Sequence, residues 1–307
     1  MITIMKCGKG GVGKTTVAVS TALYYAGQGY RTAVIDYDGG HSVTKTLGLT
    51  GGVRPNHICH AYPKLDVIVV ESLSFTSIVQ AKEKRLELKE YLAQFPEDFG
   101  LVPLVDMVNG FFGIPTDIPA LQKFLTLVSM LCKLEDEGYE YVIIDVEPTA
   151  GLERLLSNAD TTVRSLRNLS NQGMVSLMTI GAKWPDIGAY LKGDYMKKAD
   201  HYCARITQAV ESIVRAKFVL VCIPEYSPVT QTFEVRDIIH RFNGKVSACV
   251  VNNIRGEPYE ASNIKLLEPH DLPIVQIERR NSLHGGKLTN SKGILLQIGR
   301  KVVESIK

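Results

Sequence analysis

Gly8-Lys9-Gly10-Gly11-Val12-Gly13-Lys14-Thr15-Thr16 decides the reading of this chain. It follows an apolar run at residues 2–6 and opens a helical pattern at about 14–28. The stretch therefore fits G-x-x-x-x-G-K-S/T in the strand–loop–helix setting that gives the pattern meaning. Glycines let the backbone turn tightly, so that several N–H groups converge on one chain of phosphates. The helix adds the partial positive charge of its N-terminus. Gly8, Gly10, Gly11, Val12 and Gly13 supply the cradle, and Lys14 is placed to bridge the β- and γ-phosphates. The Thr15 hydroxyl is placed to ligate Mg²⁺, and Thr16 to meet the α-phosphate. The ligands implied are ATP and Mg²⁺. Lys9 is unusual, because a phosphate loop needs no lysine five residues before Lys14.

Outward from this loop, short apolar runs alternate with helical patterns. Strand candidates lie at residues 2–6, 32–36, 65–70, 141–145, 218–222, 246–252 and 274–277. They are nearly continuous in Val, Ile, Leu and Cys, as parallel strands covered on both faces must be. With helices expected at about 14–28 and 230–242, the alternation predicts a doubly wound, mostly parallel α/β sheet. Residues 73–134 and 155–214 break the rhythm and read as helical insertions forming a subdomain on one α/β domain of residues 1–307.

Ligands of an open parallel sheet gather at the carboxyl ends of its strands. Asp36, Asp38 and Asp145 stand there. Asp145 closes Tyr-Val-Ile-Ile-Asp, a Walker B pattern, where a carboxylate holds Mg²⁺ directly or through water. Asp38 lies two residues beyond the second strand, where a carboxylate can polarise an attacking water or reach the metal.

The chain has 307 residues, 45% hydrophobic and 22% charged, which suits a globular protein with a sizeable core. A net charge of +3 gives no electrostatic reason to expect nucleic acid as a partner. The apolar runs are too short to span a bilayer, for which about 20 residues are needed. The N-terminus lacks the pattern of a signal peptide, and the six cysteines stand singly with no CxxC. These features predict a cytoplasmic protein without disulfides.

Lys9-Gly10-Gly11-Val12-Gly13-Lys14-Thr15-Thr16 resembles the deviant Walker A motif of the nitrogenase-iron-protein, MinD/ParA and arsenite-pump ATPase superfamily. The resemblance implies a homodimer in which Lys9 reaches the nucleotide of the partner protomer, acting as an arginine finger does. Asp38-Gly39-Gly40-His41-Ser42 is similar to switch I of the arsenite-pump branch, which includes the tail-anchored-protein targeting ATPases. The segment from Asp145 to Leu156 looks like that branch's switch II. Residues 218–225 and Val250-Val251-Asn252-Asn253 resemble its later strands, which implies that Asn252 contacts adenine. Three departures stand out: Gly39 for a proline, Glu147 for a small residue, and Gly151 for a histidine. The branch's CxxC is missing as well. The function implied is an ATP-hydrolysing switch coupled to a client, such as a hydrophobic protein segment. The alternative is a MinD/ParA-like positioning ATPase whose ATP dimer binds a membrane or DNA.

Weaker signals remain. His57, Cys59 and His60 lack further partners at metal-ligand spacing and read as a surface loop. Met107, Met130, Met174, Met178 and Met196, with Phe111, Phe112 and Trp184, suit either core or a client groove. Residues 294–306 form an amphipathic pattern that a terminal helix would pack on the sheet, although MinD-type proteins use such a helix for peripheral membrane contact.

Overall fold

In the computed structural model, which describes residues 1–49, 52–72, 118–168, 194–268, 272–279 and 288–306, the apolar runs form one eight-stranded sheet. Strands β1 (Ile2–Cys7), β2 (Thr32–Asp36), β3 (Cys59–Tyr62), β4 (Leu65–Val69), β5 (Tyr141–Asp145), β6 (Lys217–Cys222), β7 (Lys245–Ile254) and β8 (Ile274–Glu278) stand in the order β3-β4-β2-β5-β1-β6-β7-β8. Every neighbouring pair is parallel except β3–β4. The doubly wound, mostly parallel α/β reading is therefore correct.

The interior strands are buried on both faces, which explains runs such as Phe218-Val219-Leu220-Val221-Cys222. Each such side chain contributes about 1.5–3 kcal/mol on burial. Helix α1 (Lys14–Gly27) covers one face, packing Val17, Ala18 and Ala22 with Ile4, Val34, Ile143 and Val219 of the sheet. The other described helices are α2 (Ser42–Thr46), α3 (Ile118–Asp136), α4 (Thr149–Asn168), α5 (Asp194–Val214), α6 (Tyr226–Arg241), α7 (Pro258–Lys265) and α8 (Leu288–Ser305).

Three sequence readings need correction. Cys59 and His60 lie in β3, an antiparallel edge strand and not a loop. An edge strand pairs on one side only, so its half-exposed residues show no apolar run. Helix α6 begins at Tyr226, not near residue 230, and carries Pro228 in its first turn. A first-turn proline lacks only a donor that the helix leaves unpaired anyway. Strand β7 runs from Lys245 on to Ile254, two residues past the expected end at Asn252, and so takes in Asn253 and Ile254.

Helix α8 buries Leu295, Ile298, Val302 and Val303, and these join α1 in the same core. A Cβ at Gly299 would land on the Ser20 carbonyl oxygen, so the two helices cross almost backbone to backbone. The apolar face of the terminal helix is thus occupied by core. No helix among the described residues is long and apolar enough to cross a membrane.

The chain divides into two compact units. One contains Met1–Glu71, Lys133–Ser157 and Ser212–Lys307, and therefore the whole sheet. The other contains Ser72–Cys132 and Asn158–Glu211. Within it, Met130 is buried in α3, while Met107, Met174, Met178, Phe111, Phe112 and Trp184 lie outside the described residues.

Candidate functional site

The loop of residues 8–13 leaves β1 where chain connections diverge. From β1 the chain passes to β2 on one side, and from β6 it passes to β7 on the other. Such a divergence opens a crevice at the carboxyl edge of the sheet. Gly8 has φ 150°, and a Cβ there would land on the Val221 carbonyl oxygen of β6. Gly13 has φ 96° and caps α1 in the left-handed region that β-carbons disfavour. A Cβ on it would meet the Asn252 amide nitrogen. That amide donates to the Val12 carbonyl at 2.9 Å, so β7 braces the loop from the far side. Lys14 is buried and folds back to donate to the Lys9 carbonyl at 3.1 Å. The Lys9 side chain is exposed, and no carboxylate of the described residues pairs with it.

The loop hydroxyl is already engaged with the second motif. Thr15 Oγ1 donates to Asp145 Oδ2 at 2.6 Å and lies 3.2 Å from Ser42 Oγ, at the start of α2. Asp145 Oδ1 is buried and has no hydrogen-bond partner. These are hard oxygen donors, and Mg²⁺ in nucleotide sites needs only one or two of them, with water and phosphate oxygens completing the shell. The residues present therefore fit the metal. No group of three or more His, Cys, Asp and Glu suited to a metal occurs among the described residues, and a site of this kind requires none.

Burial pushes the Asp145 carboxyl up to about 7; the Thr15 hydrogen bond and Lys14 oppose the shift, whereas Asp36 and Asp38 add to it. A nearby dication would reverse that balance. Asp36, fully buried, is spent on backbone: it accepts from Gly39 N at 3.0 Å and Val43 N at 3.2 Å. It thereby pins the segment from Asp38 to Ser42 onto the end of β2. His41 holds φ 52° there and pairs with Glu71 at 2.9 Å. Asp38 itself is exposed at the crest of this pinned segment.

Two sequence departures in switch II prove to be one. Gly151 stands in the first turn of α4, and a Cβ on it would land on Glu147 Cβ and crowd its carboxylate. Histidine cannot stand at 151 while the chain carries glutamate at 147 in this conformation. Glu147 also helps burial push Tyr37 above the ordinary phenol range. Gly151→Ala should therefore destabilise the protein by about 1–3 kcal/mol through overpacking, outweighing the roughly 0.5–1 kcal/mol that alanine gains in a helix. Thermal unfolding checks the sign. Pairing it with Glu147→Gly should restore most of the loss, and a stabilised single variant would dismiss the coupling.

The sequence reading located the loop, Asp38, Asp145 and Asn252, and all of them meet at the carboxyl edge of the sheet within one unit. It missed Ser42 as a neighbour of the Thr15 hydroxyl, although the residue stood inside the quoted switch I motif. It also missed Lys6, a fully buried lysine on β1 whose Nζ has no hydrogen-bond partner. Burial lowers this amine to about 7 against the opposing pull of Cys7 and Asp145.

A glycine loop wrapped onto a helix N-terminus, with its hydroxyl bonded to a Walker B aspartate across a parallel sheet, defines a P-loop nucleotide-binding fold. Within that class the family is also defined, since the family model of anion-transporting ATPases of the ArsA type matches residues 1–270. The chain belongs to this family. It is similar to a protein named as an arsenical pump-driving ATPase in Prosthecochloris vibrioformis, at 25% identity over 80% of this chain and 60% of that protein. It is also similar to ATPase ASNA1 homolog 1 of Paramecium tetraurelia, at 20% identity over 80% of this chain and 73% of the relative. ATPase GET3B of Arabidopsis thaliana is 24% identical over 80% of this chain and 62% of its own length. The chain thus spans about 60% of the length of the bacterial relative.

Proposed function

We propose that this chain is an ATP-hydrolysing switch that works as a homodimer and couples closure on ATP to a client protein. The observation that carries the reading is Lys9, an exposed lysine with no ion pair among the described residues, on the rim of a phosphate loop that already holds its own Lys14. A loop that needed only to bind ATP would gain nothing from it. In a face-to-face dimer, Lys9 of one protomer would lie over the phosphates of the other and meet the charge that develops in phosphoryl transfer.

The remaining roles follow from position. Lys14 exchanges the Lys9 carbonyl for the β- and γ-phosphates. Thr15, Asp145 and Asp38 would hold Mg²⁺, which when bound would neutralise charge on the phosphate oxygens. Asp38 orients and polarises the attacking water. Asn252, which spends its amide on Val12, keeps its carbonyl oxygen for adenine. The client is a protein partner: a pump component of the kind named in the bacterial relative, or a hydrophobic segment. A positioning ATPase anchored through its C-terminal helix is disfavoured, because the apolar face of α8 is buried on α1.

Lys14→Ala tests the base of this reading. The variant should lose about 1.5–3 kcal/mol of ATP binding, the worth of a charge-assisted contact. Calorimetry that finds affinity within about twofold of wild type would overturn the phosphate-loop assignment.

A further inference from the structure

Lys6 plays no part in the function proposed above, and stability does not explain it. On β1 it lies two residues beyond Ile4, on the face that α1 covers. Its register partners are Asp145 on β5 and Val219 on β6, and Asp145 in turn is in register with Asp36 on β2. The carboxyl ends of three adjacent central strands therefore carry one transverse row: Asp36, Asp145, Lys6.

The hydrogen-bond inventory of that row is uneven. Asp36 gives its oxygens to Gly39 and Val43, and Asp145 gives one oxygen to Thr15. Asp145 Oδ1 and Lys6 Nζ are both buried with no hydrogen-bond partner. A lysine kept for structure would be paired, because an unpaired buried ammonium is costly and an apolar residue of similar volume would serve the strand better. The row is joined through Thr15 to the first turn of α1, where phosphate and metal are received. Its two carboxylates repel phosphate unless something offsets their charge.

We propose that Lys6 is a tethered counter-cation of the nucleotide site: from β1 it supplies part of the positive charge that Mg²⁺ brings, so that nucleotide is held even when the metal is scarce. The inference rests on the ATP-binding reading above. It differs from the roles of Lys9 and Lys14, because Lys6 is held inside the sheet and acts on the two carboxylates beside the phosphates.

The test compares fluorescent ADP binding in Mg²⁺ and in EDTA for wild type and Lys6→Met. Wild-type affinity should fall by less than about tenfold when the metal is chelated. Lys6→Met should match wild type within about threefold in Mg²⁺, yet lose at least about a further tenfold in EDTA. The nucleotide-free variant should also unfold at a higher temperature, since a buried unpaired charge has been removed. A purely structural lysine gives the opposite pattern: a lower unfolding temperature and an unchanged EDTA penalty, which would overturn the proposal. If the variant does not fold, wild type decides alone, and an EDTA penalty of about a hundredfold or more is fatal. Tight ADP binding with equal penalties in both proteins refutes the role of Lys6 only. Absence of ADP binding under either condition removes the ATPase reading along with it.

Discussion

Asp38→Asn should slow single-turnover ATP hydrolysis at least ~100-fold while leaving ATP and Mg²⁺ bound. The amide keeps the shape of the side chain but cannot draw a proton from the attacking water. The substitution is clean for a local reason. The backbone around Asp38 is held by Asp36, which accepts from Gly39 N and Val43 N, and not by Asp38 itself. The exposed side chain can therefore change without releasing the loop. Electrostatics point the same way. Asp38 is one of the charges raising the Asp145 carboxyl, so its removal eases Asp145 towards the ionised form that a metal requires. Nucleotide affinity by calorimetry should stay close to wild type. A quenched-flow rate equal to that of wild type would remove Asp38 from the mechanism.

What the sequence made legible was local. Residues 8–16 carry their meaning within one strand–loop–helix, and the interior strands announce themselves because both faces are buried. Asp145 was legible for the same reason, as the last residue of such a strand. What escaped depends on which strands become neighbours. Lys6 reads as the polar end of a strand until β1 is found beside β5, in a register that sets it against Asp145. Nothing in the chain order foretells this pairing, because β2, β3 and β4 intervene in sequence and stand elsewhere in the sheet. Glu147 and Gly151 looked like two separate departures because the clash joining them exists only in the folded turn. The resemblance implies adenine as the partner of Asn252, yet its amide braces Val12 from another strand. Edge strand β3 lacked any signal, since half-exposed Cys-His-Ala-Tyr follows neither apolar run nor alternation.

Lys9→Ala should bind nucleotide nearly as wild type does but hydrolyse it about 10³-fold more slowly, the lower range for loss of a cationic finger. Lys9 contributes its carbonyl, not its side chain, to the resting loop, where Lys14 Nζ is held at 3.1 Å. Alanine keeps that carbonyl, so the loop and the position of Lys14 survive. The lost charge matters only when two protomers close face to face on ATP. Without it, phosphate charge across the interface is left uncompensated, and light scattering with a non-hydrolysable ATP analogue should show weakened dimerisation. Mixing gives the sharper result. A Lys9→Ala protomer beside an Asp38→Asn protomer forms two composite sites. One lacks both groups, while the other keeps Asp38 from the first protomer and receives Lys9 from the second. The mixture should therefore recover activity that neither variant has alone, approaching one intact site in each mixed dimer. A lysine acting within its own protomer leaves every site defective and permits no recovery. A monomer at tens of micromolar that turns over ATP at the full rate without Lys9 would refute the shared site.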